Sequence, residues 1–286
     1  MNFKDKFSTY LDILKAHETE LNDINVFPIA DKDTGKNLVK TLDFELPETE
    51  SIRDFVHKYS ELALYNARGS SGNILALYLM GIDNNWDDKS ISNTFVNAAK
   101  FVWDNMYNPK EGTMLTLMKQ VPQENDFASF LNQFIDNCIK SLLEGPNRLP
   151  ILKEKNTLDS GSLGFIYILC GIYKCLVGVD KTPEIILKSP EENIMNSGDN
   201  FRYCVEGLLS SYKKEDIIEV LKKSGNEIVI TESLTSEKEK ILKFHIHTNN
   251  WRMIKNACIM FSHLIDLKVE DMQNNNRVPK DFNREA

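Results

Sequence analysis

The stretch Ile52-Arg-Asp-Phe55-Val56-His-Lys-Tyr59-Ser-Glu-Leu62 carries its apolar residues at positions 52, 55, 56, 59 and 62. Spacings of three and four return to one side of a helix with 3.6 residues per turn, so an amphipathic helix with one buried stripe is predicted. Phe3, Phe7, Tyr10, Leu11 and Leu14 repeat the pattern. Further helical stretches are expected around 72–81, 90–106, 113–121, 126–143 and 162–177. Alternating, strand-like patterns are scarce up to Gly178, so this part should be all-α, with roughly eight helices.

Beyond Gly178 the pattern changes. Between Val179 and Asn200 the periodicity lapses and Pro183 and Pro190 appear, which places a domain boundary there. Phe201–Leu209 then reads as a strand, Glu215–Lys223 as a helix, Glu227–Thr231 and Lys240–Thr248 as strands, Arg252–Met260 as a helix and Asp266–Glu270 as a strand. The order βαββαβ predicts a ferredoxin-like sheet, with the polar excursion Glu232–Glu239 joining its middle strands. The expected domains are therefore 1–182, all-α, and 195–274, a small α/β domain, with 275–286 as a loose polar tail.

Composition narrows the function. The chain has 286 residues, 42% of them hydrophobic and 27% charged, which suits two packed domains and excludes intrinsic disorder. A net charge of −8 without a basic block argues against nucleic acid or an anionic membrane as partner. No apolar run is expected to reach the roughly 18 residues of a transmembrane span, and MNFKDKFSTY lacks the layout of a signal peptide. A soluble, cytoplasmic protein is the expectation. Five cysteines, at 138, 170, 175, 204 and 258, are an odd number, so buried thiols are expected rather than a disulfide framework.

The chemistry concentrates in the loops. Asn25-Val-Phe-Pro-Ile-Ala-Asp31-Lys-Asp33-Thr-Gly-Lys-Asn37 sets two carboxylates two residues apart before a helix. In an extended loop these can share a face and hold hard cations such as Mg²⁺, though Asp-X-Asp is also common in solvated turns and at helix caps. Asn66-Ala-Arg-Gly69-Ser70-Ser71-Gly72-Asn73 runs into a helix and allows phosphate to approach backbone N–H groups, or forms a plain Ser cap after a Gly turn. Glu111-Gly-Thr113-Met114-Leu-Thr116 and Leu158-Asp159-Ser160-Gly161-Ser162-Leu163-Gly164 repeat the theme. Neither a P-loop nor a Gly-x-Ser-x-Gly elbow is present.

In the second domain, the period of two turns both imidazoles of His245-Ile-His247 to one face of a strand. If the first and third strands are neighbours, Cys204 of Tyr203-Cys-Val-Glu206 comes beside them. One thiolate and two imidazoles suit Zn²⁺; a buried thiol with two hydrogen-bonded strand histidines fits the spacing equally. His17 and His57 lie in or beside helical stripes, and His263, Cys258, Trp251 and Phe261 read as packing residues.

Together, in this order and spacing, the four loops resemble the nucleotide-binding L-domain of dihydroxyacetone kinases, and more closely the FakA-type component of bacterial fatty acid kinases. The resemblance runs from Asn25-Val-Phe-Pro to Glu270-Asp-Met. It implies a DhaL-like barrel of eight antiparallel helices that binds ATP or ADP and Mg²⁺ at one end. By this resemblance Asp31 and Asp33 would be the Mg²⁺ ligands and the catalytic centre, with Thr34, Gly35 and Asn37 beside the triphosphate. Ser70, Ser71 and Gly72 would cradle phosphate, Thr113 and Met114 would flank the nucleotide, and Asp159, Ser160 and Gly161 would close over base and ribose. The middle domain of such proteins carries Tyr-Cys-Thr-Glu and His-Val-His-Thr-Asn segments, which implies that Cys204, His245 and His247 bind Zn²⁺.

The implied activity is ATP-dependent phosphorylation of a fatty acid carboxylate presented by a DegV-like fatty-acid-binding carrier protein, with possible homodimerisation. Departures from the family pattern are Lys32 where Gly is usual between the aspartates, Lys36 where Thr is usual, Asn66 for Gly, and Asp-Ser-Gly-Ser-Leu-Gly for Asp-Ala-Gly-Gly-Gln-Gly. A Lys beside a metal pair can neutralise phosphate or compete with Mg²⁺. Two other readings stand beside the kinase: a degenerate regulatory relative that binds nucleotide and zinc without turnover, and a dihydroxyacetone kinase L-subunit. FakA-type proteins continue into a third, DegV-like domain, which this sequence is expected to lack.

Overall fold

The computed structural model of the chain describes residues 3–28, 31–185, 201–234, 239–273 and 276–278. It divides into two compact units, Met1–Ile194 and Met195–Ala286. Most of the expected Val179–Asn200 linker, part of the Glu232–Glu239 excursion and most of the expected tail lie outside the described residues.

The first unit is helical. Its elements are α1 (Phe3–Lys6), α2 (Asp12–Ala16), α3 (Glu18–Asp23), α4 (Thr34–Leu42), α5 (Ile52–Asn66), α6 (Gly69–Asn84), α7 (Ile91–Asn105), α8 (Met114–Met118), α9 (Phe127–Leu143), α10 (Gly145–Arg148), α11 (Pro150–Glu154) and α12 (Ser160–Val177). Side-chain caps set several starts: Ser51 accepts from Asp54 N at 3.0 Å, Ser90 from Asn93 N at 3.2 Å and Asp126 from Ser129 N at 2.9 Å. Gly178, at φ +79°, ends α12 in the left-handed cap that glycine adopts without strain.

Twelve helical segments among the described residues exceed the expected eight because the short ones span less than two turns, too few to show a 3.6 period. The Phe3–Leu14 stripe is broken into α1, a turn and α2. The helix expected at 72–81 begins at Gly69, which brings Ser70 and Ser71 into its first turn.

Helix α12 is the axis of this unit. Every residue from Ser160 to Gly171 is buried, and α2, α3, α4, α8 and α9 all pack on it. By length and hydropathy Ser160–Val177 could cross a membrane, contrary to the expectation of no such run; 67% of it is buried inside the protein, as in a core helix. The approach is close enough at Gly171 that a Cβ there would stand 1.8 Å from the Tyr10 carbonyl oxygen. Edge-on aromatic pairs Tyr78–Phe165 and Phe134–Phe165 join α6 and α9 to it.

The second unit runs β1 (Tyr203–Ser210), α13 (Lys214–Ser224), β2 (Gly225–Leu234), β3 (Lys240–Thr248), α14 (Trp251–Phe261), β4 (His263–Asp271) and β5 (Asn276–Arg277). The sheet order is β2-β3-β1-β4-β5, and every neighbouring pair is antiparallel. The βαββαβ order matches the expectation, with β5 added at the edge. Alternation sorts the faces. Val205, Leu209, Leu242, Phe244, Ile246, Leu267 and Val269 pack with Ile217, Leu221, Ile254 and Cys258 of the two helices. Gly207 makes room for the Phe244 ring, which would lie 2.2 Å from a Cβ there. Cys204, Glu206, His245 and His247 share the other face.

Candidate functional site

The site in the helical unit is built from the starts of four helices. In the first loop, Asp31 is exposed and its Oδ1 accepts from the buried Asn25 Nδ2 at 3.0 Å. Asp33 occupies the N-cap position of α4 without a side-chain cap hydrogen bond. Between them Lys32 has φ 56°, in the left-handed region where a side chain is strained and glycine is at ease. Thr34 is buried, and Gly35 sits so close to α3 that a Cβ would come within 2.3 Å of the Glu18 carbonyl oxygen.

The second loop lies against the first. A Cβ on Gly69 would stand 2.3 Å from Asn37 Nδ2, and one on Gly72 would stand 2.2 Å from Thr41 Oγ1. Thr41 stitches the two: its hydroxyl donates to Asn37 O at 2.7 Å and accepts from Arg68 N at 3.0 Å. Ser70 and Ser71 are half-buried in the first turn of α6. In the same turn Asn73 is 2% exposed; its Nδ2 donates to Gly69 O at 2.7 Å, while its Oδ1 is buried with no hydrogen-bond partner. A buried acceptor of this kind has a free energy cost unless a donor meets it.

The third and fourth loops close the cluster. Asp159 Oδ2 caps α12, accepting from Ser162 N at 2.8 Å and Ser162 Oγ at 2.7 Å. Burial raises its pKa from the ordinary carboxylate value, against the donors from Ser162 and the Met114 backbone N–H, which hold it down. This one carboxylate thus joins the start of α8 to the start of α12. Ser160 Oγ donates to Leu21 O at 2.6 Å, so its hydroxyl serves the α3 contact. A Cβ on Gly161 would lie 3.0 Å from Ser71 Oγ and 3.5 Å from both Asp159 Oδ2 and the Met114 methyl. Thr113 is buried and its hydroxyl donates to Lys110 O at 2.9 Å.

The loops therefore converge pairwise: first on second through Asn37 and Gly69, second on fourth through Ser71 and Gly161, and third on fourth through Met114 and Asp159. Thr41 takes part although no sequence motif marks it, and Asn25, which opens the first loop motif, holds Asp31. Helix starts aimed at one place, with glycines where side chains would collide, suit a polyphosphate. Of the remaining histidines, His17 packs on Tyr167 with ring centroids 4.3 Å apart and the rings tilted by 33°, and His57 Nδ1 meets the buried Asp83 at 2.9 Å. His263, expected to pack, is exposed.

The α/β unit holds a second cluster. Adjacent strands β1 and β3 set Cys204 opposite His247 and Glu206 opposite His245. One ligand atom each from Cys204, His245 and His247 lies within 4.8 Å of the others. Cys204 Sγ is 3.6 Å from His245 Nδ1, and the two imidazole centroids are 4.9 Å apart. Burial opposes charge on His245, yet Cys204 and Glu206 drive its pKa well above the ordinary imidazole value. Burial and the neighbouring His245 push His247 down to about 3. The thiol-plus-imidazole donor set of the cluster fits a zinc-type cation. All five cysteines are free thiols, with Cys138, Cys170 and Cys258 buried.

Comparison with known proteins agrees with both units. The DAK2 domain matches residues 28–174, just over half the chain. The FakA-like middle domain of fatty acid kinases matches residues 200–278. The chain belongs to the DAK2 domain family, and its second unit matches the FakA-like middle domain. Similar proteins include uncharacterized proteins of Staphylococcus aureus strains USA300 and N315, each 26% identical over 292 residues. A third, from strain MRSA252, is 26% identical over 293 residues. These alignments cover 90% of the chain and 52% of each relative, so the chain spans about half the length of the curated relatives it matches.

Proposed function

We propose that the chain is a kinase component that transfers the γ-phosphoryl group of Mg²⁺–ATP to a fatty acid carboxylate held by a separate fatty-acid-binding protein. The carboxylate oxygen forms the new P–O bond as the bond to ADP breaks, giving an acyl phosphate. The observation that carries this reading is the convergence of four helix starts through the Asn37–Gly69, Ser71–Gly161 and Met114–Gly161 contacts, together with membership of the DAK2 domain family.

Phosphoryl transfer asks a protein for position and charge rather than for a nucleophile. Asp31 and Asp33 would hold Mg²⁺, which neutralises charge on the phosphate oxygens. Ser70, Ser71 and Gly72 offer backbone and hydroxyl donors at the positive end of α6. Asn37 lies against Gly69, so the phosphate-binding turn and the metal loop keep a fixed spacing. Thr113 and Met114 flank the nucleotide, held in place by Asp159, and Thr34, Gly35, Ser160 and Gly161 support the packing behind it. In this reading the helical unit is a DhaL-like barrel spanning about residues 1–182, and the unit at about 195–274 is ferredoxin-like. Cys204, His245 and His247 would hold zinc. A homodimer in the cytoplasm completes the proposal.

A second reading draws on Lys32, which stands between the two aspartates in the sequence with its backbone at φ 56°. There the chain would bind nucleotide without turning it over. ATP consumption with a fatty-acid-loaded carrier separates the two. Carrier-dependent turnover that disappears in Asp31→Asn and Asp33→Asn supports the kinase. Mg²⁺–ATP binding without turnover supports the second reading.

A further inference from the structure

Asn73 stands one turn into α6, and its amide is bonded at one end only. It is 2% exposed. Its Nδ2 donates to Gly69 O at 2.7 Å, which turns the amide back toward the first turn of the helix and fixes which end carries the oxygen, because a carbonyl accepts only from the nitrogen. Oδ1 is buried and meets no hydrogen-bond partner among the described residues. Asn66, Asn85 and Asn105 also donate to the carbonyl four residues back, at 2.9, 2.8 and 2.9 Å. Those three are half-buried, and none of them keeps a buried oxygen unmet. The oxygen of Asn73 costs free energy until a donor reaches it.

The helix decides which side of the site this oxygen serves. Residues four apart share a helix face, so Asn73 lies behind Gly69, where a Cβ would stand 2.3 Å from Asn37 Nδ2. Gly72 is on the same side, against Thr41 Oγ1. Both neighbours belong to α4, and Asp33 O accepts from Asn37 N at 2.8 Å, one turn nearer the first loop. Ser71 turns the opposite way and meets Gly161 of the fourth loop. The Asn73 amide is therefore on the side of Asp31 and Asp33, away from the loop assigned to base and ribose. Backbone N–H groups at this helix start suit phosphate, but an amide oxygen does not, since both are acceptors. Mg²⁺ usually keeps several of its waters, and each of them is a donor.

We propose that Asn73 is a positioning residue of the metal side of this site, with Oδ1 accepting from a water of the Mg²⁺ hydration shell. The inference rests on the nucleotide-binding reading of the helical unit, in which Asp31 and Asp33 hold the ion. One side chain then joins the two halves of the phosphate cradle: its nitrogen holds the Gly69 carbonyl at the head of α6, and its oxygen holds the hydrated ion beside α4. Because Oδ1 is buried, its donor is one that the closed loops enclose with the nucleotide. The competing role is purely structural. Gly69 has φ 58°, and the Nδ2 bond alone could anchor it there.

The test is calorimetric titration of the full chain with ADP, in excess Mg²⁺ and again in EDTA, with circular dichroism to show that each variant is folded. Asn73→Leu is close in volume and lacks the acceptor. Its affinity for Mg²⁺–ADP is expected to fall about tenfold, the loss of one hydrogen bond to a charged group, while its affinity for ADP in EDTA changes less than about twofold. Asn73→Ala carries the same comparison if the larger side chain does not fold. A folded variant that keeps its Mg²⁺–ADP affinity overturns the inference. So does an equal loss with and without Mg²⁺, which assigns Asn73 to anchoring Gly69, and so does wild-type binding of ADP that ignores Mg²⁺. These three results leave nucleotide binding standing. A wild type that binds ADP under neither condition overturns the nucleotide-binding reading and this inference with it.

Discussion

Replacing Asp159 tests whether the nucleotide end of the helical unit is held by one buried carboxylate. Asp159 is 6% exposed and receives Ser162 N at 2.8 Å, Ser162 Oγ at 2.7 Å and the Met114 backbone N–H. Asp159→Ala removes the N-cap bond from Ser162 N, worth about 1 kcal/mol, and strands the Met114 backbone donor, at about 1–3 kcal/mol. Relief of the carboxylate's own desolvation offsets part of this, leaving a loss of about 1–3 kcal/mol. For a domain of this size that lowers the melting temperature by roughly 2–12 °C. Asp159→Asn keeps an acceptor in place and should cost about 1 kcal/mol or less.

The pH dependence has a definite sign. A carboxyl whose folded pKa is raised above its unfolded value contributes stability that is fully present below the unfolded pKa and lost as pH rises through the folded one. Burial raises the pKa of Asp159, so the wild type should lose this contribution on going from acid toward the raised value, and Asp159→Asn should lack that component. Far-ultraviolet circular dichroism during thermal and urea unfolding, repeated across pH, reads both effects. An Asp159→Ala variant as stable as the wild type, or an unchanged pH slope in Asp159→Asn, would refute the argument that this carboxylate ties α8 to α12.

Other positions give separate checks. Lys32→Gly removes a side chain from φ 56° and should raise stability by about 0.5–1 kcal/mol, the αL cost of an L-residue less the extra chain entropy of glycine; denaturant melts that show a loss would contradict the strain. Gly171→Ala places a Cβ 1.8 Å from the Tyr10 carbonyl oxygen, a backbone clash that should cost about 3 kcal/mol or more; a melting temperature within a degree of wild type would disprove the close crossing. Cys204→Ser removes the thiolate and should abolish the roughly one zinc per chain expected of the wild type by elemental analysis; retention of zinc would place the metal elsewhere.

What could be read in the sequence follows from how local each feature is. The amphipathic helices α5, α7 and α9 have enough turns for the 3.6 period to show, whereas α6 and α12 are buried almost all round and are read from their length and apolar content; His245-Ile-His247 shares a face in any strand because alternation has a period of two. Short helices such as α10 and α11 have no such repeat, and the Gly145-Pro146 pair reads as a turn. The loop junctions were out of reach for a different reason. Asn37 against Gly69, or Ser71 against Gly161, depends on how α4, α6 and α12 pack, which no single stretch encodes. Even so, these glycines were visible as small residues at helix starts, and the structure shows why: a Cβ would strike a neighbouring loop.

Glu206 illustrates the limit and a way past it. One glutamate in a strand reads as a solvated side chain, and the pattern Cys-Val-Glu carries little weight by itself. Its meaning comes from the partner strand, where His245 and His247 have the same spacing of two. Two donors at that spacing on each of two neighbouring antiparallel strands meet as a square whatever the connecting chain, because cross-strand partners and alternate residues keep to one face. Once β1 is placed beside β3, Cys204 cannot be brought to the histidines without bringing Glu206 as well. The carboxylate therefore belongs to the surroundings of the site from the moment the sheet order is known.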